Sequence, residues 1–108
     1  MKLLFAIVQK EDTRPLTRAL IENDLSVTRI ASSGGFLSGG NTTLMIGVDD
    51  ERLDIALEVI RKKSSRRHSV TVPATGIPQG MESGAVPIQV MIGGATVFVV
   101  DVEAFHKY

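Results

Sequence analysis

The sequence predicts a single α+β domain spanning residues 1–108, in which an antiparallel sheet carries two helices on one face. Three observations point there. Two segments with helical apolar periodicity are each preceded by strand-like apolar runs, a glycine-rich stretch joins two strands too closely for a crossover helix, and a Gly-Gly pair sits between two apolar runs at the C-terminal end. A chain of 108 residues and 11.6 kDa buries roughly two-thirds of its unfolded surface, enough for one core without disulfides or metal staples.

Leu3 to Val8 is a continuous apolar run without alternation, the pattern of a strand covered on both faces. Asp12 and Thr13 can cap a helix that has Pro15 in its first turn, with Leu16, Ala19 and Leu20 forming its apolar face as far as about Asn23. Ser26 to Ala31 reads as a second strand and Thr42 to Val48 as a third. Asp49 and Asp50 open a second helix, in which Leu53, Ala56, Leu57 and Ile60 fall on one face. Its acidic start and its basic end at Arg61, Lys62 and Lys63 both favour the helix dipole. A stretch rich in Ser, Gly and Pro follows, Ser64 to Pro87, with Ser69 to Val72 as a short strand inside it; loops of this length are functional or disordered. Ile88 to Ile92 and Ala95 to Val102 flank Gly93-Gly94, a two-residue connection suited to a primed hairpin turn. The order βαββα, long loop, terminal hairpin is the split-βαβ, ferredoxin-like arrangement. Two helices cover only one face of such a sheet, yet Leu3 to Val8 and Val97 to Val100 are apolar on both, so the second face is expected to meet another subunit or the long loop.

Composition removes several classes of function. Twelve basic residues balance twelve acidic ones, so no global field would hold a nucleic acid and any phosphate recognition must be local. Without cysteine there are no disulfides, thiolate chemistry or Cys-based zinc sites, which fits a reducing compartment. The first apolar run is too short for a signal-peptide core or a membrane span, so a cytoplasmic location is the expectation. His68 and His106 are far apart, with no acidic grouping at ligand spacing, and no metal site is expected. No serine sits in a nucleophile elbow. The basic run from Arg61 to Arg67 reads as a solvated helix end rather than a nucleic-acid patch, since one tyrosine and no tryptophan are available for interleaving.

The stretch "ASSGGFLSGGNTTLMIG", Ala31 to Gly47, is the richest in chemical possibility. It is neither a Walker loop nor a Rossmann fingerprint, because Gly39-Gly40-Asn41 leads into a strand rather than a helix. Gly34, Gly35, Gly39 and Gly40 allow close approach of the backbone and can turn N–H groups toward an anion. Phe36 can stack on a planar base and Asn41 can read an adenine edge through its paired donor and acceptor. Thr28, on the entering strand, can donate to a ring nitrogen or a phosphate. Residue chemistry alone leaves two readings open, a ligand cradle and a hairpin loop whose Phe36 folds onto the core.

A resemblance bears on that choice. "IVQ" at Ile7 to Gln9, "GGFL" at Gly34 to Leu37, "GNTT" at Gly40 to Thr43, "GGATVFV" at Gly93 to Val99 and "AFH" at Ala104 to His106 together resemble the cyclic di-AMP receptor family related to PII signal transducers, in register over Lys2 to Tyr108. The resemblance implies a PII-like, non-enzymatic receptor forming a homotrimer, which binds cyclic di-AMP between subunits and reorders two loops, about Ser32 to Asn41 and Ser69 to Pro87, to regulate a partner protein. It implies base recognition by Thr28 and Asn41, a cradle of Gly35, Phe36 and Leu37, close backbone approach at Gly47, and contributions from Phe98 and from Lys107. Two positions depart from the pattern of some relatives: Ser26 stands where they carry Arg, and Lys107 where they carry Gln. A PII-like sensor of another adenine nucleotide, a small ferredoxin-like enzyme and a purely structural trimer are the rival expectations.

Overall fold

The computed structural model describes residues 1–30, 40–71 and 87–108. Along the chain run β1 (Lys2–Gln9), α1 (Lys10–Glu22), β2 (Ser26–Ile30), β3 (Asn41–Val48), a 3₁₀ turn (Asp50–Arg52) leading straight into α2 (Leu53–Ser64), then β4 (Arg67–Thr71), β5 (Ile88–Ile92) and β6 (Ala95–Asp101). Strands β2, β3, β1 and β6 form, in that order, one antiparallel sheet, while β4 and β5 pair as a separate two-stranded ribbon. The main sheet with its two helices is ferredoxin-like, as expected from the element order, with β6 in the place of the closing strand.

Period-two alternation along the strands decides which face is covered. Leu4, Ala6 and Val8 of β1 and Leu44, Ile46 and Val48 of β3 are all 3% exposed or less. They join Leu16 and Leu20 of α1, Leu25, and Ala56 and Ile60 of α2 in one core. Each fully buried Leu, Ile or Val contributes roughly 1.5–3 kcal/mol, so this layer supplies the main driving force of the fold. The apolar face expected for the second helix is the one it buries, with Leu53 and Leu57 at its margin.

Local departures from expectation have identifiable causes. Helix α1 begins at Lys10, before the expected caps, and Pro15 lies inside it. Its start is set by tertiary partners instead: the Lys10 N–H donates to the Gly40 carbonyl at 2.7 Å, and the Asp12 carboxylate, 5% exposed, takes the Arg67 guanidinium at 2.6 Å. The terminal strands also form, but not as a hairpin: β5 bonds to β4 and β6 to β1. Gly93 and Gly94 do adopt positive φ, 79° and 108°, yet they swing the chain from the ribbon into the sheet. Seven registered pairs with β1 outweigh the local convenience of a two-residue turn.

Helix α1 ends in a Schellman motif. The Leu25 N–H donates to the Leu20 carbonyl and the Asp24 N–H to that of Ile21, both at 3.0 Å, which puts Asp24 at φ 58°. Arg52 closes the same end by donating to the carbonyls of Asn23 and Asp24. Because a non-glycine residue in this region is strained, Asp24→Gly is expected to raise stability by about 1 kcal/mol in chemical denaturation at fixed protein concentration. Arg67→Met is expected to lower it by about 1–3 kcal/mol in the same assay, since it strands the buried Asp12 carboxylate; a double-mutant cycle with Asp12→Asn would then show coupling between the two.

Candidate functional site

The odd-numbered residues of β1 face away from the helices, and the strand registers place their neighbours in rows across the same open face. One row reads Thr28, Met45, Phe5, Phe98; the next reads Ser26, Gly47, Leu3, Val100; a third reads Ile30, Thr43, Ile7, Thr96; and Asn41 lies opposite Gln9 at the end. Leu3, Phe5, Ile7 and Met45 are half-buried, while Phe98 and Val100 are 49% and 47% exposed. The face is therefore apolar at its centre, with polar groups at one edge and one end. An apolar expanse of this kind is where a protein meets something else.

Four of the sequence-predicted site residues, Thr28, Asn41, Gly47 and Phe98, share this face. They do not converge on one point within the chain. With strands about 4.8 Å apart, Thr28 and Phe98 sit three spacings from each other, about 14 Å, and the six steps along β3 from Asn41 to Gly47 span about 20 Å. Only Thr28 and Gly47 are near neighbours, on adjacent strands one row apart. Gly35, Phe36 and Leu37 lie outside the described residues. Lys107 belongs to the exposed segment after β6, where His106 stacks on Tyr108 at 6.2 Å between ring centroids.

Gly47 has a telling environment. Its φ is not left-handed, and a Cβ built on it meets no described atom within 4 Å. Among the described residues nothing demands glycine there, and the space beside its Cα stays open on this face.

At the Asn41 end the site borders the base of the ribbon. The Gly93 N–H donates to the Gln9 Oε1 at 2.8 Å, the Gly94 N–H to the Ser64 carbonyl, and Arg67 reaches Asp12. A Cβ at Gly93 would run into the Arg67 guanidinium and come within 2.5 Å of the Ser65 carbonyl oxygen, so this close approach requires glycine. Hydrogen bonding to Asp12 holds the Arg67 guanidinium of this latch above its ordinary pKa. Sequence reasoning missed the latch: Asp12 reads as a helix cap and Arg67 as part of a solvated basic run, and no local signal joins two residues 55 positions apart.

A groove of about 590 Å³ lies elsewhere, between α1 and the helix-side edge of β2, lined by Lys10, Thr13, Arg14, Arg18, Ile21 and Arg29 among others. Among the described residues, none of the sequence-predicted site residues lines it. Among the described residues no group of three or more His, Asp or Glu is placed to hold a metal ion, and no helix is long and apolar enough to cross a membrane.

The structure is similar to the crystal structure of a functionally unknown protein from Pediococcus pentosaceus ATCC 25745, with 38% sequence identity over 99% of this chain and 96% of that one, and a TM-score of 0.81. A family profile described as the cyclic-di-AMP receptor matches residues 1–108, the whole length. The chain belongs to the cyclic-di-AMP receptor family.

Proposed function

We propose that this protein is a cytosolic PII-like receptor that binds cyclic di-AMP between the subunits of a homotrimer and regulates a partner protein by reordering its loops. The observation that carries this reading is the open sheet face: Thr28, Asn41, Gly47 and Phe98 all lie on it, yet too far apart for one subunit to close around a dinucleotide. A neighbouring subunit on the same face brings the β6 edge of one copy toward the β2 edge of the next. Gly47, beside which no described atom of its own chain would meet a Cβ, then admits the ligand or the neighbour against the strand.

In this reading Thr28 and Asn41 supply base-edge hydrogen bonds, Gly35, Phe36 and Leu37 hold ribose, phosphate and ring, and Phe98 and Lys107 contribute from the adjoining edge. Cyclic di-AMP is the ligand and no further cofactor is involved. The ligand shifts the two loops only by its differential affinity for their arrangements, about 1.4 kcal/mol for each tenfold preference. No chemical step is part of the proposal, and turnover of the dinucleotide would overturn it.

Titration calorimetry against cyclic di-AMP, cyclic di-GMP, ATP and AMP tests the assignment. Heat and thermal stabilisation with cyclic di-AMP are expected; a response only to another adenine nucleotide would reassign the sensor, and silence across the panel would reject the receptor reading. Asn41→Ala is expected to weaken binding by about 1–3 kcal/mol through loss of the base contact. Gly47→Ala is expected to leave the thermal transition of the free protein unchanged while lowering affinity, because the added methyl group meets no described atom of its own chain and fills space the ligand would use.

A further inference from the structure

The last side chain of β1 lies at the end of the same face. Gln9 stands directly opposite Asn41 in the β1–β3 register and on the same open face. Its Oε1 accepts the Gly93 N–H at 2.8 Å. An N–H can donate only to the oxygen of a carboxamide, so this bond settles which way the Gln9 amide is turned and directs its NH₂ away from the ribbon. Among the described residues no acceptor lies on Gln9 Nε2.

Both partners of this hydrogen bond are held in place by their surroundings. Gly93 is held at φ 79° with no room for a side chain, between the Arg67 guanidinium and the Ser65 carbonyl. The backbone on either side of the amide is pinned by the Lys10 N–H on the Gly40 carbonyl at 2.7 Å and by the Thr13 hydroxyl on the Gln9 carbonyl at 3.3 Å. A carboxamide fixed in this way presents two donors beside Asn41, next to the end of the glycine-rich segment.

We propose that Gln9 is a further recognition residue, whose Nε2 donates to an acceptor atom of the bound dinucleotide, a phosphate oxygen or an adenine ring nitrogen. The inference rests on the receptor reading above. It also gives Gly93 a function: its N–H holds the donor in position, so the ribbon base helps shape the ligand site without touching the ligand.

Gln9→Glu separates the two roles, because a carboxylate still accepts from the Gly93 N–H but offers no donor and adds a negative charge. Calorimetry with cyclic di-AMP is paired with amide hydrogen exchange at Gly93 in the free protein. In Gln9→Glu, exchange at Gly93 is expected to stay at the wild-type rate while Kd rises at least tenfold; in Gln9→Ala, exchange is expected to accelerate and Kd to rise as well. Gln9→Glu binding within twofold of wild type would overturn the proposal. So would weakened binding that appears only where Gly93 exchange has also accelerated, since Gln9 would then act through the ribbon alone. A wild-type titration with no heat overturns the receptor reading and this proposal together, which is distinguishable from a wild type that binds beside an unimpaired Gln9→Glu.

Discussion

A sheet that is apolar on both faces but has helices on only one must find cover for the other. Here that constraint is concentrated in β1, the inner strand between β3 and β6. Leu4, Ala6 and Val8 are sealed under α1 and α2, whereas Leu3, Phe5 and Ile7 look outward beside Met45, Phe98 and Val100. The same pleat that builds the core therefore builds an unfinished surface. Thr28, Asn41, Gly47, Phe98 and Gln9 lie on that surface or at its end, and the assembly proposed above would both cover the apolar rows and bring distant edges together.

The second organising feature is the polar junction where β1 turns into α1. Within four residues, Gln9 to Asp12, the chain contacts the end of the glycine-rich segment through Gly40 and the base of the ribbon through Gly93 and Arg67. A buried carboxylate paired with a half-exposed guanidinium contributes little net stability, but breaking such a pair is costly. Its value here is geometric: it fixes where the ribbon leaves the sheet, and with it the orientation of the Gln9 amide. Sites recruited for ligand response are drawn from segments with few buried apolar contacts, and the ribbon, with Val70, Ile88 and Met91 exposed, is of that kind.

Much of this fold was legible from periodicity. The apolar run from Leu3 to Val8 and the helical face of Leu53, Ala56, Leu57 and Ile60 identify their elements because burial imposes the period, and residue parity along β1 and β3 already tells which side chains share a face. Pairing partners were not legible. Gly93-Gly94 satisfies the local rule for a hairpin, and its positive φ angles bear that out, but ladder formation with β1 and β4 is a long-range competition that no two-residue window reports. Asp12 shows the same limit, since a good helix cap and a buried ion-pair partner are the same residue type in the same place. For the candidate site, Thr28 and Asn41 were chosen for their hydrogen-bonding chemistry, and only the strand registers place them with Gly47 and Phe98 on one face. Gln9 carries no local signal for the role proposed for it, because the orientation of its amide depends on a glycine 84 positions away.

The central claim, that the open face is covered by further copies of the chain, is tested most directly by sedimentation equilibrium of the untagged protein at micromolar concentration, with Phe5→Glu as the control that charges the middle of that face. The account predicts a wild-type mass about three times 11.6 kDa and dissociation on the substitution, because an unpaired carboxylate cannot be buried there without losing most of the association energy. A wild type that sediments as an 11.6 kDa monomer would contradict it.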